Sequence, residues 1–387
     1  MSCAKRAGVS VADVLRDHVA ALRLDREQAH AAAYILACRT GRLGGHLAVC
    51  DRCGHRHLAY HSCRNRHCPR CGNHDQALWA EAQLAHLLPI SYFHLVFTLP
   101  RSLRPFFARR SAPALQALFA AVSETLLEIA ATHGIRLGIL VVLHTWNQKL
   151  ELHPHLHCLV FGAELGPNGF VHRRRYLLPL KKLRLVFRGK LLAKLQVLLR
   201  EQKLSVGRHS GHELLRDASR RSWNIDIRRP LAGPEQVVRY FARYTRRIAI
   251  SDSRLVSYDG HTVAFRWRDR EHGNRLTTAR LDGPSFCRRF LQHVLPSGFV
   301  RIRRYGLLSD RVRNSALAQC RALLGAEAPI VPVDASRAAA SLRIFGRDPE
   351  RCPACHQGRL VIWSTWRVGG PDLAGILLAS LPGPRAP

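Results

Sequence analysis

Ile139-Leu140-Val141-Val142-Leu143-His144 and, after a short break, Leu152-His153-Pro154-His155-Leu156-His157-Cys158-Leu159-Val160 read as two neighbouring strands. The first is a short continuous run of branched apolar residues, the pattern of a buried strand. In the second, side chains alternate between faces, so His155 and His157 share one. Paired as an antiparallel hairpin, the two strands would bring His144 to the same place. Three imidazoles on one sheet face leave positions open for phosphate oxygens and water, which suits a catalytic metal rather than a closed structural one. His94, on another expected strand, and Gln148 are alternatives to His144 as third ligand. The chain has 22 histidines, so the spacing alone is a weak signal and the neighbourhood strengthens it.

Outward from this hairpin the periodicities change. Residues 1 to 37 and 111 to 132 have apolar positions at helical spacing, and Gln76–Leu88 reads the same way. Ser91–Leu99 reads as a strand closed by Pro100, and Trp223–Ile227 alternates like a strand. Arg173–Arg200 carries ten basic residues and no acidic one on an amphipathic helix. Pro234-Glu235 opens a helix running to about Arg247, with Pro in the first turn and an acid beside it. Strands follow at 254–258, 261–268 and 275–280, then a helix at 284–294 and an edge strand at 300–305. The pattern predicts an α+β protein in four parts: a helical segment 1–37, a metal-binding module 38–88, a central α+β domain 89–325 and a loosely organised tail 326–387.

The cysteines are clustered. Cys50-x2-Cys53 and Cys68-x2-Cys71 are two knuckles fourteen residues apart, a strong zinc-ribbon spacing, because each turn presents two thiolates to a tetrahedral ion. The expectation is one structural zinc on these four. Cys38, His46, Cys63 and His67 are further candidate ligands and could hold a second ion. Cys352-Pro353-Ala354-Cys355 is half a ribbon, with Cys320 and His356 as candidates to complete it.

The 387 residues carry 60 Lys+Arg against 27 Asp+Glu, a formal net charge of +33. That excess points to a polyanionic partner, with nucleic acid the default. Arg64, Arg66 and Arg70 are candidate phosphate contacts on the cysteine module. Apolar runs such as 138–143 and 373–380 are too short to span a bilayer and no apolar leader follows Met1, so neither a membrane span nor a signal peptide is expected. Tyr240 and Tyr244 lie one turn apart on the expected 234–247 helix, among Arg239, Arg243, Arg246 and Arg247. Guanidinium charge and a metal-bound phosphate would help such a hydroxyl ionise and attack. Two aromatic core residues would have the same spacing.

Together these motifs resemble the IS91-type transposases, two-tyrosine members of the HUH endonuclease superfamily. The resemblance covers residues 35 to 325. It rests on Cys38-Arg39-Thr40 with Gly44-Gly45-His46, Ser62-Cys63-Arg64-Asn65-Arg66-His67-Cys68-Pro69-Arg70-Cys71 and Val96-Phe97-Thr98-Leu99-Pro100. It rests also on His144-Thr145-Trp146, His153-Pro154-His155-Leu156-His157-Cys158 and the run from Tyr240 to Ser251. One departure is Asn147 before Gln148, where the family leads one to expect glycine. The resemblance implies an HUH-type antiparallel sheet flanked by helices. It implies Mg²⁺ or Mn²⁺ on His155, His157 and His144, and attack by Tyr240 or Tyr244 on single-stranded DNA at element ends, leaving a 5′-phosphotyrosine. It implies rolling-circle-like transposition in a bacterial cytoplasm, at the nucleoid. Two rival readings are an HUH replication initiator or relaxase and a non-enzymatic zinc-dependent nucleic-acid-binding protein.

Overall fold

The computed structural model describes residues 8–71, 82–83, 86–108, 111–166, 169–172, 178–204, 206–207, 210–231, 237, 249–269, 272–327, 336–346 and 348–367. The chain folds as two compact units, and neither is contiguous in sequence. One comprises residues 1–78, 250–291 and 332–387, and the other 79–249 and 292–331. This differs from the contiguous domains expected from composition, because chain segments far apart in sequence close the first unit.

The second unit is built on an antiparallel sheet. Its strands are β3 (Tyr92–Thr98), β4 (Arg136–Trp146), β5 (Leu152–Gly166), β6 (Gly169–His172), β7 (Ile225–Leu231) and β11 (Ile302–Gly306). The order is β11-β4-β5-β3-β7, with β6 paired to β5. Period-two alternation decides what each face does. Phe93, Leu95 and Phe97 of β3, Ile139, Val141 and Leu143 of β4, and Leu156, Cys158 and Val160 of β5 all point into one hydrophobic core. The intervening residues, His94, His144, His155 and His157 among them, therefore fall on the opposite face.

Two long helices, Ala112–Ala131 and Leu180–Arg200, cover the apolar face. Ser111 caps the first by accepting the Ala114 amide, and Pro sits in its first turn. Phe187 of the second helix packs edge-on against Phe97 and Trp223, with centroids 5.0 and 5.1 Å away. Contrary to the expectation from apolar runs, the Ala112–Ala131 helix is long and apolar enough to cross a membrane. Twelve of its residues are buried, ten of them in this core. Its Glu124 and Glu128 pair with Lys194 and Lys190 at 2.8 and 2.7 Å. The apolar length serves helix-on-sheet packing.

The first unit holds helices Val11–His18 and Arg26–Ala37, each opened by a capping box, Ser10 with Asp13 and Asp25 with Gln28. Strands β1 (Gly45–Cys50), β2 (Arg56–Tyr60) and β12 (Leu360–Trp366) form a sheet in the order β12-β1-β2. A second sheet has the order β10 (Arg275–Asp282), β9 (Thr262–Asp269), β8 (Leu255–Tyr258), and helix Gly283–Leu291 packs with helix Val11–His18. The late residues are thus not a loose tail, since Leu360–Trp366 pairs residue by residue with Gly45–Cys50. Of the helix expected at 76–88, residues 82–83 are helical, 86–88 are not, and the rest lie outside the described residues, as does the helix expected at 234–247 except for Val237.

Candidate metal centres

β4 and β5 pair antiparallel with His144 directly opposite His155, and His157 opposite Val142. The hairpin brings His144, His155 and His157 together, with one ligand-capable nitrogen from each within 4.8 Å of the others. Ring centroids are 4.5 Å apart for His144–His157, 4.9 Å for His155–His157 and 5.4 Å for His144–His155. His144 and His157 are buried and His155 is partly exposed, which gives the cluster one open side.

The tautomers follow from hydrogen bonds. His155 Nδ1 lies 2.7 Å from the His153 carbonyl and so carries a proton, leaving Nε2 as its lone pair. His94, fully buried on β3, holds His157 Nδ1 with its Nε2 at 3.0 Å. It stands behind His157 as its hydrogen-bond partner. The group of three is completed by His144. An outer partner of this kind fixes the ring of a ligating histidine. Burial drives the His94 pKa down to about 4, with the Arg228 cation adding to it. Burial first, and then the three neighbouring imidazoles, hold His157 well below the ordinary range. These rings stay neutral at pH 7, the form a metal requires.

The turn between the strands contains the departure from the family pattern. Asn147 Oδ1 accepts the amides of Lys149 and Glu151, both at 2.9 Å, and Asn147 Nδ2 donates to Glu151 at 2.8 Å. The asparagine therefore builds the turn with its own side chain. Leu150 adopts φ 61°, and its carbonyl accepts from Gln292 at 2.8 Å and His293 at 3.2 Å. Gln148 lies in this turn. Gln292 and His293 are supporting residues that the sequence did not flag, because they sit nearly 150 positions away.

His293 carries a pH prediction. Its Nδ1 meets Thr145 Oγ1 at 3.1 Å, and burial lowers its pKa from 6.5 to about 4. The unfolded chain takes up this proton below about 6.5 and the folded chain only near 4. Stability is therefore full above 6.5 and falls as pH drops between the two values. From pH 7 to pH 5 this one residue costs about 2 kcal/mol. Urea midpoints should shift accordingly, and His293→Gln should flatten the dependence. An unchanged slope in that variant would refute the assignment.

The eight cysteines of the knuckles and their neighbours fall into two groups of four, sorted differently from the spacing expectation. Cys38, Cys63, Cys68 and Cys71 form one, all buried, and Cys50, Cys53, Cys352 and Cys355 the other. The two N-terminal knuckles thus do not share an ion, because β1 and β2 carry Cys50 and Cys53 away from Cys68 and Cys71. Within the first group Cys63 and Cys71 sulfurs lie 3.4 Å apart. Sulfurs around a tetrahedral zinc, at 2.3 Å each, lie about 3.8 Å apart. Hydrogen bonds from the other three thiols hold Cys38 far below the ordinary thiol range and push Cys68 far up. A divalent cation resolves that conflict by accepting all four as thiolates. This donor set fits structural zinc. His46 and His67 belong to neither group; His46 sits against His61 at 5.6 Å, and His67 accepts from Arg66 at 3.3 Å. Cys320 belongs to the other unit, and His356 lies in the turn of its own knuckle, so neither completes the late pair.

Arg70 is also reassigned. Its guanidinium donates to the Cys38 carbonyl at 3.2 Å and Ser10 Oγ at 2.7 Å, and lies 3.8 Å from Asp252. It braces the metal group instead of facing outward. Arg64 is exposed. Tyr240, Tyr244, Arg239, Arg243, Arg246 and Arg247 lie outside the described residues.

Two groups of four cysteines, beside an antiparallel sheet that carries an imidazole cluster, mark a protein with a zinc-binding domain. Two family models match, a transposase zinc-binding domain over residues 11–99 and a putative transposase over residues 138–316. A putative transposase, y4qJ, of Sinorhizobium fredii is 41% identical over 92% of this chain and 95% of its own length. The transposase for insertion sequence element IS801 of Pseudomonas savastanoi pv. phaseolicola is 29% identical over 83% of this chain and 80% of its own. No solved structure matches. The chain belongs to the IS91 family of transposases, and so to the DNA-processing enzymes.

Proposed function

We propose that the chain cuts and rejoins single-stranded DNA at the ends of an insertion sequence through a 5′-phosphotyrosine intermediate, in rolling-circle-like transposition. The observation that carries this reading is the convergence of His144, His155 and His157 on one face of a hairpin. Three imidazoles with one open side would hold Mg²⁺ or Mn²⁺, which when bound supplies Lewis-acid polarisation of a scissile phosphate. The Tyr240 or Tyr244 oxygen attacks phosphorus, and the 3′ oxygen leaves with a proton. The tyrosyl phosphodiester keeps the bond energy, so rejoining needs no outside source. Two tyrosines permit two successive cleavages. Arg239, Arg243, Arg246 and Arg247 would bind the strand there, and Arg64 and Arg66 on the cysteine module would contact phosphates of an element end.

The test is a denaturing gel of full-length protein with labelled single strands from the gene's own flanks, in Mn²⁺ and in EDTA. A covalent adduct should form only with metal. Tyr240→Phe and Tyr244→Phe together should abolish it, and each alone shows which hydroxyl leads. DNA binding with no adduct on any flank would instead favour a zinc-dependent nucleic-acid-binding protein.

A further inference from the structure

The family zinc-binding domain spans residues 11–99 and so contains only two of the four sulfurs in the second cysteine group. Cys50 and Cys53 come from the end of β1 and the turn after it. Cys352 and Cys355 come from a turn some 300 residues later. Their sulfurs meet crosswise, Cys50 with Cys355 at 3.8 Å and Cys53 with Cys352 at 3.7 Å. These are the edges of a tetrahedron about a zinc ion, whose sulfurs stand about 3.8 Å apart, and are far too long for a disulfide.

Both turns are shaped as metal knuckles. The amides of Arg52 and Cys53 point at Cys50 Sγ, each at 3.5 Å. The Ala354 amide points at Cys352 Sγ at 3.4 Å and the Gly358 amide at Cys355 Sγ at 3.3 Å. Amides aimed at sulfur stabilise thiolate. A Cβ on Gly358 would stand 2.5 Å from Cys50 Sγ and 2.6 Å from Asp51 Oδ1, so only glycine lets the two turns close on each other. Asp51 Oδ1 in turn accepts the Arg359 amide at 2.8 Å.

What the group holds in place is strand β12. It pairs with β1 from Gly45↔Trp366 to Cys50↔Leu360, ending at the sulfurs. None of its seven residues is buried, and Val361, Ile362 and Trp363 are each more than half exposed. Such a strand gains little from apolar burial, and ordering it closes a very long loop.

We propose that Cys50, Cys53, Cys352 and Cys355 bind a second structural zinc, built from both ends of the chain, that clasps strand Leu360–Trp366 onto the edge of the N-terminal sheet. The ion is independent of the one on Cys38, Cys63, Cys68 and Cys71, and independent of the DNA-cleavage reading. Its sulfurs are also the more accessible, since Cys53 is exposed and Cys355 half-exposed.

Full-length protein purified with zinc, its cysteine-bound ions counted by plasma mass spectrometry as the zinc that a thiol-specific mercurial releases, so that any zinc on the histidine cluster is not counted, should carry two such ions per chain. Cys352→Ser/Cys355→Ser should carry one, and hydrogen exchange should quicken in Leu360–Trp366 while helices Val11–His18 and Arg26–Ala37 keep their protection. Cys355→His offers nitrogen in place of sulfur. It should keep two ions, and its cobalt-substituted form should lose part of the thiolate charge-transfer absorption. One zinc in the wild-type chain would overturn the proposal, as would two in the double serine variant. A cobalt spectrum of Cys355→His identical to wild type would show that Cys355 is not a ligand. Unchanged exchange in the strand of a one-zinc variant would overturn the clasp. If the double serine variant fails to fold, the ion count and spectrum of Cys355→His decide.

Discussion

Alanine at His157 or His155 is expected to lower metal-dependent cleavage of single-stranded DNA by roughly 10³-fold, because Lewis-acid stabilisation is worth several kcal/mol and each ~1.4 kcal/mol is tenfold. Affinity for the DNA should hardly change. Binding is spread over a chain of net charge +33, whereas each of these substitutions removes a single ring, and burial keeps that of His157 uncharged at neutral pH. His94→Ala keeps all three imidazoles and removes only the partner of His157 Nδ1. Its effect should be smaller, about 10–100-fold, and recoverable at higher Mn²⁺ concentration. The measurements are adduct yield over time and DNA affinity by fluorescence anisotropy, on variants whose circular dichroism matches wild type. If cleavage and binding fall together, the cluster is a DNA contact or a folding element and not the reaction centre. If His94→Ala is as severe as His157→Ala and no metal rescues it, His94 is itself a ligand.

Serine at Cys68 is expected to unfold the N-terminal module. Cys68 and Cys38 are fully buried, and the four sulfurs of their group come from a helix end, the segment after β2 and one tight turn. The substitution is nearly the same size, so the cavity term is small and metal loss dominates. Zinc binding to such sites is worth about 10–16 kcal/mol, which matches or exceeds the ~5–15 kcal/mol stability of a whole domain. The expected result is one zinc lost per chain, with hydrogen-exchange protection gone from helix Arg26–Ala37, whose C-terminal end is Cys38. A chelator acting on wild type should reproduce it. A Cys68→Ser protein that melts within a few degrees of wild type would show that the core of helices Val11–His18 and Gly283–Leu291, not the metal, carries the module.

Much of the second unit was legible. The strand alternation in Phe93–Phe97, Ile139–His144 and His155–Val160 says which side chains go to the helices, and the same arithmetic puts three histidines on the other face. Of the basic helix expected over Arg173–Arg200, Leu180–Arg200 is helical, while residues 173–177 lie outside the described residues. Less legible were residues that act from a distance. His293 and Gln292 brace the 147–151 turn through a backbone carbonyl, and no local pattern announces a donor for a carbonyl 142 positions away. Arg70 reads like any other arginine in a basic stretch, and only the position of Ser10, Cys38 and Asp252 makes it a brace.

The cysteines divide the two kinds of information most sharply. A Cys-x-x-Cys knuckle is a local turn, so the sequence alone determined that Cys50/Cys53, Cys68/Cys71 and Cys352/Cys355 each present two sulfurs together. It likewise determined, through period-two geometry, that His155 and His157 share a face. A tetrahedral ion needs two more ligands per knuckle, and which ones arrive depends on where the chain runs after the turn. Only the tertiary structure decided that β1 and β2 lead Cys50 and Cys53 toward the far end of the chain, that Cys38 and Cys63 close around Cys68 and Cys71, and that Leu360–Trp366 becomes the edge of the N-terminal sheet. Spacing encodes the local turn. The closure of loops hundreds of residues long is set by the packing of everything between them.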